Sequence, residues 1–154
     1  MIIYLGADHQ GFELKEYIEG LVKSMGYEVA DLGNKEYEAD DDYPDFAKEV
    51  ARRVSQGYEN SRGILVCGSG VGVDIVANKF KNIRSALAFN SNQAYDSRND
   101  DDTNILSLPS NYLSREKAKG IIVTWLETPF SGESRHVRRL QKIYNIESEI
   151  SREV

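Results

Sequence analysis

The sequence has little of several residue types on which whole classes of protein depend. It holds one cysteine, two histidines and three prolines in 154 residues. A single cysteine excludes a disulfide framework and a cysteine-rich zinc site within one chain, and two histidines argue against a catalytic zinc site. The longest apolar runs have about five residues, whereas a membrane-spanning helix needs about 20. We therefore expect no resident metal, no cofactor and no membrane segment.

Positive charge is also scarce. The chain carries 19 Lys and Arg against 25 Asp and Glu, which gives a formal net charge of −6. This balance disfavours a nucleic-acid-binding surface. The first residues lack the basic and long apolar segments of a signal peptide, so we expect a cytoplasmic protein in which Cys67 is a free thiol.

Short apolar segments alternate with segments of helical periodicity along the chain. Strands are expected at residues 2–5, 27–30, 63–67, 85–89 and 104–108. Helices are expected at residues 12–25, 44–54, 72–79, 92–99, 114–127 and 134–148. This order predicts one α/β domain, residues 1–154, in which a five-stranded parallel sheet has helices on both faces and a C-terminal helix follows. Ligands of such sheets bind at the carboxyl ends of the strands, which selects the loops that begin at Asp8, Cys67 and Asn90.

The segment from Cys67 to Gly72 reads Cys-Gly-Ser-Gly-Val-Gly between a strand and a helix. Glycines permit close backbone approach, and successive free N–H groups can hold an anion, although a tight turn without a ligand uses the same residues. The spacing differs from that of a dinucleotide or P-loop motif. Cys67 is either a small buried apolar residue or, beside a helix N-terminus, a thiolate that acts as nucleophile or general base.

Charged residues at two other places fit a ligand cleft. Asp8 and His9 follow the first strand, at the edge where ligands are expected. Arg135 and Arg139 lie four residues apart on one face of the last helix, and such a pair suits a phosphate. The alternatives for these arginines are a solvated basic face and ion pairs with Glu133.

Two runs of three consecutive aspartates, at residues 40–42 and 100–102, are the remaining candidate functional residues. Neither has the layout of a calcium-binding loop. We expect the first run to consist of solvated loop acids.

Several stretches together resemble one family. They are residues 6–15, 42–45, 63–79 with 83–84, 103–106, and the Arg135-His136 pair with Arg139. These stretches span nearly the whole chain and resemble the ribose-5-phosphate isomerase B enzymes of the ribose/galactose isomerase family, which also includes galactose-6-phosphate isomerase subunits. The resemblance implies a Rossmann-like three-layer fold and a homodimer or homotetramer with shared active sites. It also implies cofactor-free aldose–ketose isomerisation through an enediolate, as in the pentose phosphate pathway, with ribose 5-phosphate as the expected substrate.

The resemblance also implies roles for individual residues. Cys67 would move a proton between C2 and C1 of the sugar, with the hydroxyl of Ser69 beside it. The groups implied to hold the enediolate are the N–H groups of Gly68, Gly70, Val71 and Gly72. The groups implied to bind the rest of the substrate are Asp8 and Tyr43 for the sugar, and His9, Arg135, His136 and Arg139 for the phosphate.

The chain departs from the family pattern at three places. Asp100 and Asp101 stand where the family has its ring-opening histidine and an asparagine, so we expect Asp100 to serve in ring opening and Asp101 to bind substrate. Asn111 stands where an arginine often follows the fifth strand, and residues 132–134 replace a Gly-Gly pair. Two alternatives stay open: an isomerase for another sugar, such as a six-carbon phosphate, and a low-activity sugar-phosphate-binding subunit that pairs with an active paralogue.

Overall fold

Five parallel strands form one sheet in the order β2-β1-β3-β5-β4. The computed structural model describes residues 1–153, with side chains for residues 1–150, so residue 154 of the expected domain lies outside the described residues. The strands are β1 (Ile2–Ala7), β2 (Glu28–Asp31), β3 (Ser61–Cys67), β4 (Ser85–Leu87) and β5 (Ile105–Pro109). The α/β class and the five-stranded parallel sheet predicted from the sequence are confirmed.

Helices cover both faces of this sheet. They are α1 (Phe12–Ser24), α2 (Tyr43–Gln56), α3 (Val71–Ala77), α4 (Ser91–Asn99), α5 (Arg115–Glu127) and α6 (Ser134–Glu153), with a short 3-10 turn at Ser110–Tyr112. Apolar residues of α1, α4 and α5 form one buried core with the sheet, and those of α2 and α3 form the other. The fold is therefore the three-layer sandwich that the family resemblance implies.

Strand β3 lies at the centre of both cores. Ile64, Leu65 and Val66 are each at most 1% exposed. Ile64 and Val66 face the core under α1 and α5, whereas Leu65 faces the core under α2 and α3. This arrangement explains why the strand is a continuous apolar run, as expected for a parallel strand covered on both sides.

The strand order places a crevice between β1 and β3. The chain leaves β1 through α1 to reach β2 on one side, and then returns through α2 to β3 on the other side. Ligands of open α/β sheets bind at such a reversal point. The sequence analysis expected the loop after β4 to be the third loop of the ligand-binding edge. Strand β5 separates β4 from β3, however, so the loop after β5 is the direct neighbour of β3.

Helix α6 begins beside the end of α4 and is 20 residues long, which is longer than the sequence predicted. Its residues Ile143, Ile146 and Ile150 line a groove of about 710 Å³ whose opposite wall comes from residues around β4. These three side chains are between 46% and 59% exposed. Within the described part of the chain, no helix has the length and apolar content needed to cross a membrane.

Candidate active site

Cys67 is the last residue of β3 and is buried, with 4% of its surface exposed. Its Sγ accepts a hydrogen bond of 3.1 Å from the backbone N–H of Gly70. Gly70 has a φ of +74°, a left-handed conformation that lets the chain turn back over the sulfur and enter α3 directly. A donor aimed at the sulfur stabilises the negative charge of a thiolate.

The other predicted residues of this loop lie around the same turn. The Oγ of Ser69 is exposed and accepts the N–H of Val71 at 3.3 Å. A Cβ atom on Gly72 would come within 2.6 Å of the ring of Tyr43, so glycine allows Tyr43 to stand directly against the loop. Tyr43 is 39% exposed, which leaves part of its ring open to a ligand.

The loop after β1 rests on the end of β3. A Cβ on Gly11 would meet the carbonyl oxygen of Val66 at 2.5 Å, which shows how closely the two segments approach. Asp8 is 6% exposed, and its Oδ1 accepts the N–H of Gly11 at 3.0 Å. Burial raises the pKa of Asp8, although the hydrogen bond from Gly11 and the charge of His9 oppose that rise. Asp8 thus lies at the predicted ligand edge with a pKa shifted upward by burial, a feature common among functional carboxyl groups.

His9 is held by Asp41 of the first aspartate run. The Oδ1 of Asp41 lies 2.8 Å from the backbone nitrogen of His9 and 2.8 Å from its Nδ1. The hydrogen bond to Asp41 raises the pKa of His9, and the charge of Asp8 adds to this rise against the opposing effect of burial. The expectation of solvated loop acids is therefore wrong for Asp41, whose side chain is only 5% exposed, and holds for Asp40 and Asp42, which are exposed.

The loop after β5 fastens the other two loops together. The Oγ of Ser110 lies 2.9 Å from the carbonyl oxygen of Gln10 and 3.1 Å from that of Cys67. The N–H of Asn111 donates to the carbonyl oxygen of Gly68 at 3.0 Å, and its Nδ2 donates to Oε1 of Gln10 at 3.2 Å. Sequence reasoning missed these contacts, and the polar Ser-Asn pair at the end of an apolar strand was the only signal for them.

Asp100 and His136 form a second group, where the end of α4 meets the start of α6. The Nε2 of His136 lies 3.7 Å from Oδ1 of Asp100, and its Nδ1 lies 2.7 Å from Oγ of Ser131. His136 is 1% exposed, whereas the side chain of Asp100 is 43% exposed. The burial of His136 does not fit the direct phosphate contact expected from the sequence. Its ring instead stands behind Asp100.

The remaining predicted residues of this group are more open. Arg135 forms an exposed ion pair with Glu133 at 2.8 Å, which is one of the alternatives that the sequence left open, and Arg139 is exposed one turn further along α6. Asp101 lines the groove under α6, and its carbonyl oxygen accepts Nε of Arg84 at 2.9 Å. Among the side chains of residues 1–150, no hydrogen bond or ion pair joins this group to the loops around Cys67.

A further set of carboxylates surrounds Lys15. Glu16, Glu19 and Asp31 place one oxygen each within 4.8 Å of one another, a spacing that suits a metal ion. The Nζ of Lys15, however, lies 2.6 Å from both Asp31 and Glu16 and supplies the positive charge there. Burial would raise the pKa of Asp31, but the hydrogen bonds from Lys15, Gly33 and Lys35 outweigh it and lower that pKa.

Comparisons with known proteins identify the family of this chain. The sequence pattern of the Ribose/Galactose Isomerase family matches residues 3–143. A probable ribose-5-phosphate isomerase B of Mycoplasma genitalium is 39% identical over 147 residues, which cover 96% of this chain and 96% of that protein. The ribose-5-phosphate isomerase B of Escherichia coli is 41% identical over 145 residues, which cover 94% and 95%.

A solved structure provides the same comparison in three dimensions. The crystal structure of ribose-5-phosphate isomerase B from Mycoplasma genitalium with bound ribulose-5-phosphate superposes with a TM-score of 0.93 at 38% identity. The match covers 96% of this chain and 97% of that one. Because the family pattern and its relatives extend over nearly all of the sequence and the fold, this chain belongs to the ribose/galactose isomerase family.

Proposed function

We propose that this chain interconverts ribose 5-phosphate and ribulose 5-phosphate through an enediolate, without a metal or a nucleotide. The observation that carries the proposal is the buried Cys67 sulfur, which receives the N–H of Gly70 at the reversal point of the sheet. The names of the relatives and the ribulose-5-phosphate bound in one of their structures support the same substrate.

The chemistry assigned to the first group is proton transfer between neighbouring carbons. The Cys67 thiolate removes the proton on C2 of the open aldose, and the electron pair moves onto O1 to give the enediolate. The N–H groups of Gly68, Ser69 and Gly72 are assigned to that oxyanion, because those of Gly70 and Val71 already donate to Cys67 Sγ and Ser69 Oγ. One well-placed donor is worth about 3–4 kcal/mol. The Ser69 hydroxyl passes the proton from O2 to O1. Cys67 then returns its own proton to C1, which leaves the ketose.

The chemistry assigned to the second group is ring opening. The C1–O4 bond of the furanose must break before the proton on C2 becomes acidic. The Asp100 carboxylate accepts the proton of the C1 hydroxyl while the ring oxygen takes one from solvent. The Nδ2 of Asn99 donates to Oδ1 of Asp100 at 2.7 Å and holds that carboxylate in place. His136 is buried behind it, with Nε2 at 3.7 Å, and Ser131 fixes the imidazole. Phosphate binding is assigned to His9, Arg135 and Arg139.

The complete site is proposed to form between two copies of the chain, in a homodimer or homotetramer in the cytoplasm. The Cys67 loops and the Asp100 group are unconnected within the described side chains, although the proposed reaction needs both. The exposed isoleucines of α6 give that helix an apolar face that a second copy can bury.

A different sugar phosphate is the second candidate. Asn111 stands where an arginine is common in the family, and its amide is engaged with Gln10 instead of facing a phosphate. Asp100 likewise replaces the ring-opening histidine. Both changes favour a substrate that makes less use of ring opening and of a further phosphate-binding cation beside His9, Arg135 and Arg139.

Complementation between inactive variants tests both the reaction and the shared site. Cys67→Ala and Arg139→Ala should each lose nearly all turnover of ribose 5-phosphate. All proteins are first dialysed against a chelator, and the wild type should remain fully active after this treatment. If the two chains exchange freely in a dimer, half of the dimers are mixed, and each mixed dimer holds one intact site. The equal mixture should then recover about a quarter of the wild-type activity.

The matched control is Arg138→Ala, which removes the neighbouring exposed cation and should remain active alone. Absence of rescue from a mixture shown to exchange subunits would place the whole site within one chain. A wild-type enzyme that ignores ribose 5-phosphate but turns over a six-carbon phosphate would instead establish the second candidate.

A further inference from the structure

We propose that Asp41 is a positioning residue that fixes the imidazole of His9 so that only its charged form can donate a hydrogen bond to the substrate phosphate. This inference rests on the proposed function, in which His9 binds the phosphate. It concerns a residue 32 positions away in sequence, in a run of aspartates that otherwise faces solvent.

The contacts of Asp41 leave its carboxylate little freedom. Its Oδ1 accepts both the backbone N–H of His9 and the ring Nδ1, each at 2.8 Å, so the main chain and the side chain of His9 are held by one atom. Its Oδ2 accepts Nδ2 of Asn34 at 3.0 Å. Because the side chain of Asp41 is 5% exposed and both oxygens are engaged, the imidazole cannot rotate without breaking a partly buried hydrogen bond.

The tautomer of His9 follows from these contacts. A carboxylate oxygen can only accept a hydrogen bond, so Nδ1 must carry a proton. In the neutral ring, Nε2 then carries a lone pair and repels a phosphate oxygen. Only in the imidazolium does Nε2 carry a proton to donate. The ring is 26% exposed, and no side chain among residues 1–150 is hydrogen-bonded to Nε2, so this atom is available to a ligand.

The positive charge of His9 matters more for phosphate binding in this chain than in relatives that have an arginine at the position of Asn111. The titratable groups that face His9 are Asp8 beside it, Asp41 below it and Tyr37, whose ring stands edge-on at 6.4 Å between centroids. The two carboxylates raise the pKa of His9, with Asp41 the larger contributor. The imidazolium is present below that pKa and is lost as the pH rises through it. Removal of the charge of Asp41 should therefore move the loss to lower pH.

Asp41→Asn removes the charge and keeps an amide oxygen that accepts the Nδ1 proton. Its NH2 group replaces Oδ2, so the amide of Asn34 must turn over to present its oxygen there. Asp40→Asn, which removes an exposed carboxylate from the neighbouring residue, is the matched control. The two histidine resonances are followed by NMR against pH, and His9→Asn identifies which belongs to His9. In Asp41→Asn the titration of His9 should shift to lower pH.

Kinetics between pH 7 and 9 provide the second measurement, since phosphate monoesters stay dianionic there (second pKa about 6). As the pH increases, KM for ribose 5-phosphate should begin to rise at a lower pH in Asp41→Asn than in the wild type. At pH 8 the KM of the variant should exceed that of the wild type by about three- to tenfold, and the two kcat values should agree within about twofold. Asp40→Asn should match the wild type in both measurements.

Two results would overturn the proposal and leave the proposed reaction standing. An unchanged His9 titration in Asp41→Asn would show that Asp41 does not control the charge. A shifted titration with an unchanged KM would show that His9 does not hold the phosphate. Failure of the wild type to turn over ribose 5-phosphate would instead refute the reaction itself.

The wild type supplies a further test, once His9→Asn has shown which histidine resonances belong to His9. The ¹⁵N shifts of neutral His9 should show the proton on Nδ1. A proton on Nε2 would refute the proposed arrangement even if Asp41→Asn failed to fold.

Discussion

Gly70→Ala is the substitution whose cost the structure defines most closely. Gly70 has a φ of +74°, and a Cβ added there would overlap Cδ1 of Leu87 and lie 3.1 Å from the backbone at Leu108 and Pro109. The residue therefore combines a conformation that alanine avoids with a position where Leu87 must move to admit a methyl group and the backbone of β5 is already close.

The two effects have separate magnitudes. A left-handed conformation costs a residue with a Cβ about 1–2 kcal/mol. An extra methyl group in a well-packed core costs about 1–3 kcal/mol. Together they should lower the free energy of unfolding by about 2–5 kcal/mol, which corresponds to a fall in Tm of about 4–20 °C for a chain of this size.

Two other glycines isolate the conformational part. Gly26 and Gly132 have φ values of +88° and +66°, and neither has an atom within 4 Å of an added Cβ. Alanine at either position should cost only about 1–2 kcal/mol. Urea unfolding at one fixed protomer concentration measures all three variants under the same conditions. If Gly70→Ala were no less stable than Gly132→Ala, the neighbours of Gly70 would accommodate a methyl group at no cost, and the steric part of this reasoning would be refuted.

Two further substitutions test other parts of the structure. Lys15→Met should lower the free energy of unfolding by about 3 kcal/mol at pH 7, because it leaves the buried carboxylate of Asp31 without its main partner. Since the fold lowers the pKa of Asp31, this contribution is present above the unfolded value and is lost as the pH falls through the folded one. Unfolding curves at pH 7 and pH 3 should therefore show the difference from the wild type shrinking in acid, and a constant difference would contradict the ion pair. Asp100→His should raise turnover of ribose 5-phosphate, measured beside a sugar phosphate that is already open. A rate that stays flat or falls on every sugar would show that Asp100 suits a different substrate.

The sequence predicted the elements whose pattern is local. Strand β3 was predicted because Ile64, Leu65 and Val66 are apolar without alternation, and such runs occur where both faces of a parallel strand are covered. The boundaries were less accurate. Strand β4 ends at Leu87 instead of residue 89, and α6 extends beyond residue 148, since a few terminal residues carry no distinct signal.

The candidate site shows where sequence reasoning stopped. The Cys67 loop was identified because its glycines, strand and helix are contiguous. The role of Asp41 was missed because its partner is 32 residues away, and nothing in three consecutive aspartates marks which one turns inward. The contact between Asp100 and His136 was likewise invisible, because it depends on how α6 meets the end of α4.

The fastening of the three loops by Ser110 and Asn111 has a consequence for the thermodynamics of ligand binding. Segments that order only when a ligand arrives lose conformational entropy at that moment, about 1–2 kcal/mol for each residue whose backbone becomes fixed. The hydrogen bonds that join Gln10, Cys67 and Gly68 to the loop after β5 fix these segments when the chain folds. These loops are therefore ordered before a substrate binds, and more of the substrate's interaction energy remains to stabilise the transition state.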